Sequence, residues 1–347
     1  MAEEIKNKSD KKKTDSEKLI RLCGELPDIC QSFLLETGTE MALSTRLAYA
    51  RELKWFFEFL ESYSPKFCDT RIIDVSVDQI RTITSQDISR YLTLYKDKGH
   101  GERTLARKRA SLSRFFTYLS DNRIISFNPV AAAVKVKIHQ SDEVIHLDFD
   151  EQNRLLDTVE DGQGLTKDQL KYHDRYRLRD TALITLLLDT GMRVSEVHGI
   201  SLKDIDFDNR SVLITRKGGN LQTIYFADDV ADLLQEYIAQ RQSQQELSPN
   251  APLFVTAREE RLSIRAIQVL VKKYTSAAIP GKGVKLSPHK MRSSFAMGFY
   301  EETKDILALQ RKLGHKNLSA TNIYAKATDK QMKETRSVVS ERRNKKG

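Results

Sequence analysis

Apolar residues recur at helical spacing through the first third of the chain. Leu47, Ala50, Leu53, Phe57 and Leu60 advance by three or four positions and therefore share one helix face. Ser85-Gln86-Asp87 reads as the start of a second helix, carrying Ile88, Tyr91, Leu92 and Tyr95. Gly99-His100-Gly101 interrupts the chain. A third helix runs from about Glu102, with Leu105, Leu112, Phe115, Phe116 and Leu119 inward. Its other face bears Arg103, Arg107, Lys108, Arg109 and Arg114, more cations than an ordinary solvated face needs, and reads as a surface that touches DNA. The lone Trp55 reads as core of the same bundle, and Asn128-Pro129 ends it.

A stretch without clear period follows, and the pattern that resumes is mixed. Residues 1–18 read as a charged tail, 19–134 as the helical bundle and 135–144 as a linker suited to run along a nucleic-acid backbone. Residues 145–327 form a second domain, and 328–347 a C-terminal segment suited to packing on a neighbouring protomer. Asp161 to His173 is a polar loop, and Arg179 to Thr190 an apolar helix closed by Gly191. Ser211–Thr215 and Leu221–Phe226 read as short strands joined by the turn Lys217-Gly218-Gly219-Asn220. Ser263 to Ala278 is helical, Ser287-Pro288 opens a further helix, and Asp305 to Leu313 is another, stopped by Gly314. The fold class is mainly α with a small β-sheet.

Composition narrows the partner. The formal net charge of +9 over 347 residues favours a polyanion, nucleic acid first and an acidic membrane surface second. The longest apolar run, Ala182 to Leu188, is far too short to span a bilayer, and the charged N-terminus has no signal segment, so a cytoplasmic chain is expected. Cys23, Cys30 and Cys68 lack the spacing of a zinc site or a disulfide framework and read as buried thiols of a reducing compartment.

The chemistry is carried by a spaced basic set and a phenol: Arg193, Lys217, His289, Arg292, His315 and Tyr324. No comparable set of metal ligands accompanies them. His289 and Arg292 sit one turn apart at the start of a helix, whose free amides also favour a phosphate. Arg193 follows a glycine turn, with Glu196 placed to fix its guanidinium. Each residue alone has a plain alternative: a surface ion pair for Arg193, a solvated turn lysine for Lys217, a packing residue for Tyr324. Together they can attack a phosphodiester without a metal or other cofactor. Arginines grip the non-bridging oxygens, a lysine or histidine moves protons, and the phenol is a covalent nucleophile.

The segment TGMRVSE, the RKGG hairpin, the HKMR helix and LGHKN followed by a tyrosine resemble the tyrosine recombinases, or phage-type integrases, in order and spacing. The resemblance covers roughly residues 25 to 335 and is nearest the compact Xer-type or mobile-element enzymes. It implies a SAM-like helical core-binding domain before a mixed α/β catalytic domain. It implies that Arg193 and Arg292 clamp the scissile phosphate, that His289 and His315 bond its oxygens, and that Lys217 is the acid for the leaving 5′ oxygen. Tyr324 would form the 3′-phosphotyrosyl bond, and Glu196 would support Arg193. It also implies a homotetramer on double-stranded DNA carrying a specific site, with exchange through a Holliday junction. One departure stands out: Ser293 occupies a position where the family commonly has histidine. A type IB topoisomerase, or a non-catalytic DNA-binding regulator on the same scaffold, are the alternatives.

Overall fold

The computed structural model describes residues 14–139, 144–216, 219–315 and 317–328. The chain divides into two compact units, 1–140 and 141–347. Lys217, most of the charged N-terminal tail, part of the linker and all but the first residue of the 328–347 segment lie outside the described residues. Among the described residues, no helix is long and apolar enough to cross a membrane.

The first unit is helical. Its main elements are α1 (Asp28–Glu36), α2 (Leu43–Tyr63), α3 (Ser85–Asp97) and α4 (Glu102–Asp121). The expected spacing is realised: Leu47, Ala50, Leu53, Phe57 and Leu60 of α2 are all buried. Helix α3 begins at a capping box, in which the Thr84 hydroxyl accepts from the Asp87 amide and the Asp87 carboxylate accepts from the Thr84 amide. Phe33, Phe56, Phe57, Phe115 and Phe116 fill the core, and Phe56 meets Tyr91 edge-on at 5.2 Å between ring centres.

Three expectations fail in this unit. Of the three cysteines only Cys30 is buried; Cys23 is half-buried, and Cys68 is exposed on the chain that follows α2. Trp55 is 38% exposed and stands at the margin of the bundle rather than in its core. Lys108 is 1% exposed and cannot present its charge to DNA. It lies four residues before Leu112 and seven before Phe115, which is the inward face of α4. Its ammonium donates to Glu52 at 3.0 Å and to the Tyr91 hydroxyl at 3.2 Å, and lies 3.8 Å from the Tyr95 ring centre and 4.3 Å from that of Trp55. Trp55 and Lys108 thus explain one another: the indole roofs a buried cation. Removing that cation would leave the Glu52 carboxylate, itself 3% exposed, with Arg107 at 3.1 Å as its partner. Lys108→Ala is therefore expected to lower stability by about 3 kcal/mol in urea unfolding of the full chain. The salt dependence of DNA binding should stay unchanged; a slope reduced by about one unit would restore the DNA-contact reading.

The second unit wraps helices around a small antiparallel sheet. Helix α5 (Phe149–Asp161) is followed by α6 (His173–Thr190), α7 (Val194–Gly199), β1 (Ile205–Asp206), β2 (Ser211–Thr215) and β3 (Leu221–Tyr225). Then come α8 (Asp228–Gln242), α9 (Ile264–Ala278), α10 (Pro288–Thr303) and α11 (Ile306–Leu313), with a last helix over 322–328. The sheet order is β1-β2-β3, with Ser211 opposite Tyr225 and Thr215 opposite Leu221. Helix α6 starts six residues before the expected Arg179, because His173 is itself buried and its Nε2 pairs with the Val159 carbonyl at 2.8 Å. The loop expected from Asp161 to His173 holds a helical turn at Lys167–Leu170. The main core gathers α5, α6, α9 and the inward side of the sheet; a smaller cluster packs Ala296, Met297, Leu309 and Leu313 around Tyr324.

Candidate active site

Two chain reversals and one helix start bring the site together. Helix α6 stops at Gly191, which has φ +60°, a conformation that glycine adopts without the strain of a side chain. There is also no room for one, since Phe295 packs directly on its α-carbon. The turn delivers Arg193 to the start of α7. Glu196, one turn on, accepts the Arg193 backbone amide at 2.8 Å and its Nη1 at 2.8 Å. The carboxylate is buried while the guanidinium remains about one-third exposed, so the acid aims a cation that solvent or a ligand can still reach.

Helix α10 supplies the next pair. Ser287 lies at its N-cap with Pro288 in the first turn. Arg292 is 2% exposed. It donates Nη1 to the Gly191 carbonyl at 2.7 Å and Nη2 to the Leu313 carbonyl. Burial, and then the charge of Arg193, pull its pKa down to about 10, so it remains a cation at neutral pH. His289 keeps an edge open to solvent. Partial desolvation first, then Lys290, Arg292 and Arg193, hold it below the ordinary histidine value.

The second reversal is Gly314, also at φ +60°, after α11. Asp305 caps the start of that helix by accepting the Leu307 and Ala308 amides at 2.9 and 2.8 Å. His315 follows the glycine. Its backbone amide donates to Gln310 and its carbonyl accepts from the Gln310 side chain at 3.0 Å; its Nδ1 shares a 3.0 Å hydrogen bond with the Thr321 hydroxyl. Desolvation, followed by Arg292, Arg193, Arg216 and His289, brings its pKa to about 4. Tyr324, on the helix over 322–328, is 3% exposed. Burial raises its pKa; a hydrogen bond with Ser293 and the charge of Arg292 act the other way. The phenol is thus protonated at neutral pH, and the nearby Arg292 charge favours its anion.

Arg193, His289, Arg292, His315 and Tyr324 therefore converge, and Glu196 sits beneath them. Two further residues join them: Ser293, marked in the sequence only as a departure from the family pattern, and Arg216, to which sequence reasoning assigned no role. Ser293 touches the phenol and donates to the His289 carbonyl at 3.2 Å. Arg216 reaches in from the end of β2 and lies 3.5 Å from Glu196. Its signal was a second cation beside Lys217, which any solvated turn could carry. The basic face of α4 is more occupied than its sequence suggests. Arg103 is exposed; Arg107 pairs with Glu52, Arg114 with Glu40 at 2.8 Å, and Arg109 donates to the Val130 carbonyl at 2.8 Å.

A buried arginine, a second that solvent can reach, two largely neutral histidines and a phenol held as a group describe a site for covalent phosphoryl transfer. Sequence comparison gives the class a family. The profile described as Phage integrase family matches residues 146–331, and that described as Phage integrase, N-terminal SAM-like domain matches residues 32–122. The chain belongs to the phage integrase family, the tyrosine site-specific recombinases. It is 34% identical over 320 residues to the tyrosine recombinase XerC of Caldanaerobacter subterraneus subsp. tengcongensis, covering 89% of this chain and 85% of that protein. It is 29% identical over 287 residues to XerC of Anoxybacillus flavithermus, covering 82% and 87%. In fold it is similar to the XerH site-specific recombinase bound to palindromic difH substrate (TM-score 0.67, 21% identity, 86% of this chain and 81% of that one). It is also similar in fold to the Tn1549 transposon integrase in complex with transposon right end DNA (TM-score 0.64, 20% identity, 90% and 98%).

A titration prediction follows from the two depressed histidines. In the free protein His315 should titrate near 4, well below an unfolded histidine near 6.5. As pH falls from about 6.5 to 4 the unfolded chain takes up a proton that the fold refuses, so stability declines through that window and is constant above it. A bound phosphate supplies the opposite charge and raises the histidine pKa. DNA binding should therefore take up protons below about pH 6.5, seen as movement of the His315 ring resonances on adding DNA. Ring resonances that titrate identically with and without DNA would remove His315 from the phosphate site.

Proposed function

We propose that this recombinase cuts and rejoins duplex DNA at a specific site through a covalent bond between Tyr324 and a DNA 3′ phosphate. Arg193 and Arg292 hold the non-bridging oxygens, with Glu196 and the Gly191 and Leu313 carbonyls keeping the guanidinium planes aimed. Thr321 donates to Nδ1 of His315, which selects the tautomer whose Nε2–H donates to a phosphate oxygen. His289 serves the same phosphate from the first turn of α10. The Tyr324 oxygen attacks phosphorus as its phenolic proton passes to the neutral imidazole of His289, the bond to the 5′ oxygen breaks, and Lys217 supplies the proton that oxygen takes. A 5′ hydroxyl of the partner strand then reverses the step. One phosphoester replaces another each time, so no external energy source is needed.

Arg103, Arg107 and Arg114 are assigned to DNA backbone contacts by the helical unit. Four protomers on two sites, exchanging strands in pairs through a Holliday junction in the cytoplasm, complete the reading. The DNA partner is supported by solved neighbours that are recombinases or integrases held on DNA.

The observation that carries the proposal is the buried phenol beside Arg292 and Ser293, with both histidines and Arg193 acting on the same charges. The test uses a nicked suicide duplex, selected by covalent capture from a randomised library, from which the short product diffuses away. Proteolysis and mass spectrometry should find a nucleotide 3′ phosphate on Tyr324. Paired-site recombination, without relaxation of site-free supercoils, should distinguish the enzyme from a topoisomerase. Modification elsewhere, or none, overturns the reading.

A further inference from the structure

Arg216 is 9% exposed, yet it points away from the hydrophobic core and into the polar heart of the site. Its guanidinium is taken up on all sides by protein. Nε donates to Gln222 Oε1 at 2.5 Å, Nη1 to the Leu313 carbonyl at 2.6 Å, and Nη2 to the Lys312 carbonyl at 2.9 Å. Its own amide donates to the Asn220 carbonyl at 2.7 Å, which anchors the arginine at the base of the β2–β3 hairpin. Gln222 reaches the Arg311 carbonyl at 3.4 Å, so the last turn of α11 is held by side chains of the hairpin. Gly314 makes the approach possible: a Cβ there would stand 2.6 Å from the guanidinium carbon.

Two of these acceptors are shared. The Leu313 carbonyl also accepts from Arg292, and Glu196 Oε1, 3.5 Å from Arg216, also holds Arg193 at 2.8 Å. Arg216 therefore has one acceptor in common with each arginine assigned to the phosphate. Burial of its cation next to two others is unfavourable, and burial depresses its pKa. A hydrophobic side chain would fill the same space at less electrostatic cost, but could not bind three carbonyl-type oxygens in one plane.

We propose that Arg216 is a positioning residue for strand cleavage. It fixes the Glu196 carboxylate and the C-terminal carbonyls of α11, and through them the aim of Arg193 and Arg292 and the placement of His315. It touches neither DNA nor the reacting atoms. The inference rests on the assignment of those arginines to the scissile phosphate.

The test compares Arg216→Ala and Arg216→Lys with wild type on the suicide duplex, measuring DNA affinity and the single-turnover rate of adduct formation separately. Arg216→Ala should bind DNA within about threefold of wild type but form adduct on the order of 100-fold more slowly, the effect of a roughly ångström-scale misplacement. Arg216→Lys, which keeps the charge and one hydrogen bond, should recover only about tenfold of that loss. Guanidinium chloride at tens of millimolar, far below denaturing levels, should restore Arg216→Ala by about tenfold or more by filling the vacated place, whereas equal urea should not. A residue needed only for folding would give no such rescue.

Adduct formation at the wild-type rate in either variant overturns the proposal, as does a loss that lies wholly in DNA affinity. Failure of guanidinium to restore a cooperatively folded Arg216→Ala does so as well. If Arg216→Ala does not fold, folded Arg216→Lys carries the test. Wild-type protein that forms no adduct on Tyr324 strikes the functional reading instead, which separates the two failures.

Discussion

Tyr324→Phe protein is expected to form no covalent DNA adduct while binding its site with near-normal affinity. The substitution removes one oxygen and leaves a ring of the same shape. The ring packs among Ala296, Met297, Leu309 and Leu313, so the helix over 322–328 should keep its seat. Cleavage should fall by a factor on the order of 10^4 or more, since nothing replaces a lost covalent nucleophile. Stability should change by less than about 1 kcal/mol, because only the hydrogen bond with Ser293 is lost and the ring remains. Gel analysis of the suicide reaction, alongside an affinity measurement, gives both results. Adduct in the phenylalanine protein would mean that another residue attacks.

Arg292→Ala should be the most damaging single change outside the nucleophile, because it acts on both stability and chemistry. The side chain is 2% exposed and bridges the carbonyls that end α6 and α11. The Gly191 carbonyl would lose its donor in a dry place, at a cost of about 1–3 kcal/mol, while the Leu313 carbonyl would keep Arg216. Adduct formation in whatever protein remains folded should drop by about 10^3–10^5, the range for an arginine that meets transition-state charge on phosphorus. Arg292→Lys is the sharper probe. Its single ammonium keeps the positive charge but cannot span the Gly191 and Leu313 carbonyls and still meet a phosphate. It should unfold near wild-type denaturant concentrations and still cleave at least about 100-fold more slowly. Near-normal cleavage by the lysine protein would reduce Arg292 to a structural bridge.

Local signals determined much of this protein. Helix periodicity, glycine stops and the capping serine and aspartate appear in the chain before any folding is considered, because they depend on neighbours within four residues. The order of Arg193, His289, Arg292, His315 and Tyr324 was legible for the same reason, Arg193 and His315 each just after a glycine stop, and so was the resemblance they carry. The sheet was legible as two strands; the two-residue β1 was too short to have a pattern of its own.

Only the tertiary structure decided which charges face solvent. Lys108 belongs to the inward register of α4, yet a lysine there is read as a surface residue until Glu52, Tyr91, Tyr95 and Trp55 arrive from two other helices to enclose it. Trp55 reversed in the opposite sense, because a large ring placed over a cation need not be buried itself. Arg216 and Ser293 acquired meaning in the same way: one from carbonyls 96 and 97 residues away along the chain, the other from a phenol on a different helix. Sequence specifies contacts that the backbone makes with itself nearby; the sharing of a carboxylate or a carbonyl among distant cations exists only once the chain has closed, since it depends on distance in space rather than along the chain.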